Sequence, residues 1–377
     1  MRSMKLVLFT DNLCSGGAQR QLCQLASEFQ CLGHEVIVLT YNSGVGVDGE
    51  FFGPWLDSKG IARQKLSLVP RWRRPLELRR LLKAIAPDSL LAFQEASSCY
   101  AELAGILGRR WGLVVSERSA IPNSHTVLRW LRLLHFLADT ITTNSKTNRL
   151  MMARSWTGLG PKVHVIYNAV DLEHFVPARE SLAHEASGDR PLRLVVLASH
   201  QWLKNLRNVL EGLLHLRDRL QVQLRWYGGT RQDSAPFDEG KGYIQANNLG
   251  KEVELLPPTC DARQAYWDSD AVLSASWYEG CPNTICEAMA CGKPVLASAV
   301  SDNPLLVEDG VTGFLFDPQS PKAIAASILR FADLSLARRH AMGVAGRCRA
   351  EKLFDPNRCA KRYEELLVSA AAVQCGK

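Results

Sequence analysis

The sequence predicts an α/β protein made of two doubly wound halves. Three observations lead there. Short apolar runs recur along the chain as buried parallel strands: Met4 to Thr10, Glu35 to Thr40, Ser89 to Phe93, Leu113 to Ser116, Leu192 to Ala198 and Ala271 to Leu273. Most are followed by a turn and a stretch of helical spacing, the order of βαβ units. That order restarts at Leu192, after a loose polar stretch from Ser181 to Arg190.

The bulk numbers agree with two domains of ordinary size. The chain has 377 residues and is 46% hydrophobic, as soluble globular proteins are. Its longest apolar stretch, Val127 to Ala138, is interrupted by Arg129 and Arg132, too short and too charged to span a bilayer. The start, MRSMKLVLFT, reads as a first strand with no cleavable signal pattern. The 11 cysteines are odd in number and scattered, which points to a reducing compartment without a disulfide framework. Cys281, Cys286 and Cys291 are evenly spaced, but positions five apart on a helix diverge in direction, so small buried residues are expected there rather than a metal site.

The net charge of +7 is unevenly spread. Arg63, Lys65, Arg71, Arg73, Arg74, Arg79, Arg80 and Lys83 crowd one stretch, and Arg109, Arg110, Arg129 and Arg132 follow. A basic first half suggests an anionic partner: a membrane surface, a phosphorylated acceptor or nucleic acid. No nucleic-acid recognition motif accompanies it, so nucleic acid is not expected.

In the first half, the strand Met4 to Thr10 runs into the turn Asp11 to Gly17 and then a helix from Ala18 to Leu32, with Leu22, Leu25, Ala26 and Phe29 at helical spacing. Gly16 and Gly17 allow a backbone to approach a phosphate or sugar closely. Ser43 to Pro75 reads as irregular, with a possible strand between Ile61 and Val69, and Leu76 to Ala86 as a basic amphipathic helix. Glu117 and Arg118 follow the strand Leu113 to Ser116, at the end where doubly wound sheets bind ligands, and His125 lies in the next loop. Each of the three reads either as an acceptor-side cleft residue or as an ion pair or exposed loop residue. Val127 to Ala138 reads either as a buried helix or as a segment lying in a membrane interface.

In the second half, Leu192 to Ala198 runs into Ser199-His200-Gln201-Trp202-Leu203-Lys204 and a helix from Leu206 to Leu216. A cation at this turn can neutralise a diphosphate, which singles out Lys204. The stretch Ser276 to Val295 carries most of the chemistry. A strand end delivers the turn Glu279-Gly280-Cys281-Pro282 and a helix from Asn283 to Ala290. Pro282 suits the first turn, and Gly292 and Pro294 stop the helix. Its N-terminus is an anion site. Glu279 before it and Glu287 one turn inside it read either as a pair of diol-binding carboxylates or as a capping and a solvated glutamate. Helices from Ala323 to Phe331, Ala337 to Phe354 and Arg358 to Ala372 close the chain.

The run E-G-C-P-N-T-I-C-E-A-M-A-C-G-K-P-V, with Asp302 to Pro318 beyond it, resembles the signature of glycosyltransferase family 4. Lys204-Asn205, the Gly16-Gly17 turn and Lys162 to Leu172 are similar to further segments of that family. The resemblance implies a GT-B fold: two Rossmann-like domains facing a cleft, residues 1–175 on the acceptor side and 176–355 binding the nucleotide sugar, with residues 356–377 a helix packing back on the first. It implies a retaining, metal-independent enzyme that moves a hexose or N-acetylhexosamine from a nucleotide diphosphate sugar, a UDP-sugar first, to a glycan or lipid-linked acceptor in cell-surface polysaccharide synthesis. The implied donor residues are Gly16, Gly17, Ser199, His200, Lys204, Pro258, Gly280, Cys281, Pro282, Asn283, Thr284 and Glu287, with Glu279 and Lys204 in the catalytic roles. No cofactor is implied beyond the nucleotide sugar as co-substrate. A cytoplasmic location, peripheral on the inner face of the membrane, goes with a lipid-linked acceptor. The family's arginine a few residues before Lys204 is missing; Ser199 and His200 stand there. That departure keeps a catalytically altered nucleotide-sugar-binding protein in view, and a sugar-nucleotide epimerase of the same fold is the third reading.

Overall fold

A computed structural model describes residues 2–42, 50–118, 130–178, 190–230 and 233–375. The chain divides into two units, Met1–Ala169 with Pro356–Lys377, and Val170–Asp355.

The first unit is built on strands β1 (Lys5–Thr10), β2 (Glu35–Thr40), β3 (Ala62–Lys65), β4 (Ser89–Phe93), β5 (Gly112–Glu117), β6 (Thr140–Thr143) and β7 (Val163–Val165). They form one parallel sheet in the order β3-β2-β1-β4-β5-β6-β7. Period-two alternation sorts its two faces. Leu6 and Leu8 of β1 point to a layer holding Leu22, Leu25 and Phe29 of the Gly17–Cys31 helix and Tyr363 and Leu367 of the Pro356–Cys375 helix. Val7 and Phe9 point the other way, to Leu78 and Leu82 of the Arg74–Ile85 helix, Ala101 and Ala104 of the Glu95–Gly105 helix, and Met152 of the Lys146–Ser155 helix.

The C-terminal helix is a full member of this unit. Gly112 of β5 lies so close beneath it that a Cβ there would meet the Ala371 backbone nitrogen at 2.5 Å. Ser89 Oγ donates to the Leu367 carbonyl at 2.8 Å, and His34 Nε2 meets Glu364 at 3.0 Å.

The second unit holds β8 (Leu192–Leu197), β9 (Val222–Tyr227), β10 (Val253–Leu256), β11 (Ala271–Ser274), β12 (Val295–Ser298) and β13 (Gly313–Phe316), parallel in the order β10-β9-β8-β11-β12-β13. The strand order reverses between β8 and β11. Loops leaving the carboxyl ends of these two neighbours therefore meet, and in open sheets that crevice is where ligands sit.

Several elements differ from the sequence reading. A helix, Gly53–Ser58, occupies part of the stretch expected to be irregular, and helices Lys146–Ser155, Ala235–Ala246 and Ala262–Trp267 were not distinguished by their spacing. Of Val127 to Ala138, Trp130 and Leu131 are α-helical and run into a short 3-10 helix, Arg132–Leu137, while residues 127–129 lie outside the described residues. No helix among the described residues is long and apolar enough to cross a membrane.

Candidate functional site

The turn after β8 and the turn after β11 are tied together. Trp277 donates its backbone N–H to the Leu203 carbonyl at 3.0 Å, and the indoles of Trp202 and Trp277 stack with centroids 6.0 Å apart. Asn205 takes a left-handed conformation (φ 61°), and its buried amide donates to the Ala275 and Pro318 carbonyls at 3.1 and 2.9 Å. This bracket fixes the preceding lysine: Lys204 Nζ lies 2.5 Å from Glu279 Oε1. Ser276 Oγ donates to the same oxygen at 2.6 Å, and Ser301, in the loop after β12, accepts the Glu279 N–H at 3.1 Å.

Beyond Glu279, Gly280, Cys281 and Pro282 are buried, and the helix Asn283–Ala290 begins. Pro282 at its N-cap offers no capping oxygen. The first turn, with half-buried Asn283 and Thr284, carries the positive end of the helix dipole. Cys281 and Cys286 pack with their sulfurs 3.6 Å apart. Burial pushes the Cys286 thiol well up, with Cys281 adding to it, so both behave as small apolar groups. Among the described residues no group of His, Cys, Asp and Glu is arranged to hold a metal ion. Glu287 is 4% exposed, and Tyr266 donates to its Oε2 at 2.9 Å.

The ends of β8, β9 and β10 pack closely. A Cβ on Gly228 would lie 1.9 Å from the Ala198 carbonyl oxygen, so only glycine fits there. Gly229 abuts Pro258, whose position after β10 borders this loop cluster. Ser199 donates to the Gln201 side chain at 3.2 Å.

His200, among the donor residues that the resemblance implies, is packed into the interior. Its ring is 1% exposed, stacked on Trp226 at 5.9 Å and against Phe237 at 4.7 Å. Burial lowers its pKa, the Gly228 backbone opposing and Lys241 reinforcing the shift, so it sits there neutral. Arg207 is also engaged elsewhere, with Glu211 at 2.6 Å and over the Tyr243 ring at 3.9 Å. Of these three groups Lys204 is the one at the carboxylate.

In the first unit the expected acceptor residues separate. Glu117 faces inward and is ion-paired, the second of its two readings. Arg132 Nε and Nη2 donate to it at 3.0 and 2.9 Å, and His135 Nε2 meets it at 3.0 Å, while His135 Nδ1 meets Glu102 at 2.6 Å. All four side chains are buried, and a buried carboxylate persists only when paired in this way. Arg118 is half-buried at the end of β5, bonded to Asn168 and to the Tyr363 hydroxyl and lying over Phe93. It lines a small cavity with Gln21, Gln24 and Tyr167. His125 lies outside the described residues. Gly16 caps and Gly17 opens the Gly17–Cys31 helix, and in the loop between β1 and that helix the Gln19 amide donates to Asp11 at 3.0 Å.

Comparison with known proteins gives a consistent picture. Residues 15–174 match the family described as Glycosyltransferase Family 4, and residues 191–333 that described as Glycosyl transferases group 1. A D-inositol 3-phosphate glycosyltransferase from Mycobacterium sp. (strain JLS) is 30% identical over 185 residues, which is 48% of this chain and 42% of that protein. The chain thus spans less than half the length of this curated relative. Among solved structures, Anabaena Alr3699/HepE in complex with UDP superposes with a TM-score of 0.84 at 19% identity, over 97% of this chain and 100% of that one. A glycosyltransferase from Rickettsia africae ESF-5 gives 0.82 at 18% identity, over 98% and 99%.

Proposed function

The chain belongs to the family 4, group 1 glycosyltransferases with a GT-B fold, and we propose that it transfers a hexose or N-acetylhexosamine from a nucleotide diphosphate sugar to a glycan or lipid-linked acceptor. The observation that carries this reading is the Lys204–Glu279 pair, 2.5 Å apart, at the head of the Asn283–Ala290 helix. A diphosphate at that helix N-terminus meets backbone N–H groups and one lysine, and Glu279 stands beside the sugar it carries. Glu287, one turn further in, takes the ribose.

The reaction proposed is retaining and needs no metal. The bond between the anomeric carbon and the diphosphate oxygen breaks, and the acceptor oxygen bonds to that carbon on the same face. The acceptor's proton passes to the departing phosphate. Negative charge gathers on that phosphate, so Lys204 and the N–H groups near Asn283 and Thr284 act on the transition state more than on the ground state.

UDP-sugars come first because the Anabaena neighbour was solved with UDP. The Mycobacterium relative is named for D-inositol 3-phosphate, which belongs beside lipid-linked glycans in an acceptor panel. For a lipid-linked acceptor the first unit offers an outer helical layer with exposed Trp72, Leu76, Ile106, Leu107, Trp130 and Phe136, interleaved with arginines. That composition suits peripheral contact with an anionic cytoplasmic membrane face.

The test is nucleotide release from a panel of UDP-, GDP- and ADP-sugars, with a membrane-lipid extract or D-inositol 3-phosphate as acceptor. Release from one donor that needs an acceptor and is lost in Glu279→Ala establishes transfer. Buried, neutral His200 in place of the family's arginine favours one second reading, a nucleotide-sugar-binding protein; a donor bound without turnover would establish that instead.

A further inference from the structure

Glu287 holds a carboxylate where almost no water reaches, and such a group needs donors that fix it. Tyr266 is one of them. Its ring is 0% exposed, and its hydroxyl donates to Glu287 Oε2 at 2.9 Å.

The helix that carries this phenol is anchored at several points. The phenol projects from the helix Ala262–Trp267, which Asp261 caps by accepting the Gln264 N–H at 3.1 Å. Ser269 Oγ donates to the Tyr266 carbonyl at 2.8 Å, and the Trp267 indole donates to the Val176 carbonyl at 2.8 Å. Lys293 Nζ donates to the carbonyls of Trp267 and Ser269 at 3.2 and 2.8 Å. Phe175 packs at a tilt against the Tyr266 ring, with centroids 6.3 Å apart. A side chain locked this firmly delivers its hydroxyl to one point in space.

We propose that Tyr266 is a positioning residue for nucleotide recognition, fixing the plane of the Glu287 carboxylate against the vicinal hydroxyls of a ribose. The inference rests on the ribose role given to Glu287 above. The chemistry of the donor supports it. A phenol is neutral, so it orients the carboxylate without cancelling the charge that makes it a strong acceptor for hydroxyls. A lysine or arginine in its place would compete with the ribose for the same oxygens. A phenylalanine would leave Oε2 without this bond, and the carboxylate would turn more freely. Tyr266 lies outside the Glu279–Glu287 stretch, on the helix before β11, so that motif does not reveal it.

The test compares UDP, GDP and ADP with their 2′-deoxy counterparts by calorimetry, in the wild type, Tyr266→Phe and Glu287→Ala. The wild type should prefer the ribose form of its best nucleotide by about 10-fold, the worth of a hydrogen bond to a charged group. Tyr266→Phe should compress that preference to about 3-fold while leaving affinity for the deoxy form within about two-fold of wild type. Glu287→Ala should abolish it. In turnover, Tyr266→Phe should raise the donor KM and leave kcat nearly unchanged.

A wild-type preference in Tyr266→Phe, with Glu287→Ala having lost it, overturns the positioning role and leaves the ribose reading intact. Equal losses for ribose and deoxy forms in Tyr266→Phe also overturn it, since a merely structural role gives that pattern. No preference in the wild type, or one that survives Glu287→Ala, overturns the ribose reading and this inference together.

Discussion

Replacing Glu279 by glutamine should move nucleotide binding and sugar transfer in opposite directions. In the ligand-free protein Lys204 is spoken for: its Nζ lies 2.5 Å from Glu279 Oε1, with the two side chains 21% and 14% exposed. A diphosphate that recruits Lys204 must draw it away from that carboxylate or share it. Partial exposure screens the pair, so its net worth is taken near the upper end for solvent-accessible pairs, about 1 kcal/mol. Glutamine keeps the shape and can still accept from Ser276 Oγ, which now reaches Oε1 at 2.6 Å. It removes the competing charge. UDP, or whichever nucleotide the panel selects, should then bind about 5-fold more tightly. Transfer should fall by about 100-fold, because a carboxylate that orients the sugar in the transition state is gone. Lys204→Ala provides the contrast: it should weaken nucleotide binding and transfer alike. Calorimetry gives the first quantity and nucleotide release the second. Weaker nucleotide binding in Glu279→Gln would refute the reasoning, since it would mean that the ion pair does not hold Lys204 back from the diphosphate.

Two further predictions concern the first unit. Burial works against the charge on His135, yet Glu102 and Glu117 together push its pKa up to about 10, from 6.5. A raised pKa contributes stability that is complete below the unfolded value and is lost as pH rises toward 10. His135→Leu should therefore cost about 3 kcal/mol at pH 6 and less at pH 10, checked by chemical denaturation at both. Glu117 has the opposite sign. Burial alone would raise it, but His135 and Arg132 hold it at about 2, so its contribution is present above 4.5 and is lost as pH falls toward 2. The membrane reading is checked by flotation with anionic vesicles: Trp72→Ser with Trp130→Ser should reduce the floated fraction several-fold, and raising the salt from about 0.05 to about 0.5 M should reduce it further. A floated fraction indifferent to both changes would remove that reading.

Much of the fold was legible because its causes are local. β1, β2, β4 and the Asn283–Ala290 helix fall where apolar runs, Pro282 and Gly292 place them. The helices that spacing did not reveal have local reasons for hiding. Lys146–Ser155 reads KTNRLMMARS, with a weak apolar stripe, and is fixed by Ser145 capping the Asn148 N–H. Ala262–Trp267 is short and is held by its Asp261 cap and by contacts from Val176 and Lys293. Gly53–Ser58 is six residues long and buries only Gly53 and Leu56, too few positions to show a period. In the first two, capping and tertiary contacts do what intrinsic periodicity does elsewhere.

The candidate site divides along the same line. Glu279 and Lys204 were both singled out by their local motifs, and they meet because the turns that carry them follow β11 and β8, neighbours in the sheet. Glu117 looks equivalent in sequence: a glutamate at the carboxyl end of a parallel strand, next to an arginine. What separates the two is distant in the chain. Arg132 and His135 lie 15 and 18 residues beyond Glu117, and Glu102 lies 33 before His135. Only their convergence turns the Glu117 carboxylate inward. Arg118, its immediate neighbour, points the other way, to Asn168 and to Tyr363 of the C-terminal helix, because alternate residues of a strand face opposite sides of the sheet. Adjacent charges at a strand end thus need not share a role, and which of them can meet a ligand depends on what the two helical layers supply. On that argument Arg118, beside its small cavity, is the better acceptor candidate of the pair, and Glu117 belongs to the frame that holds β5 in place.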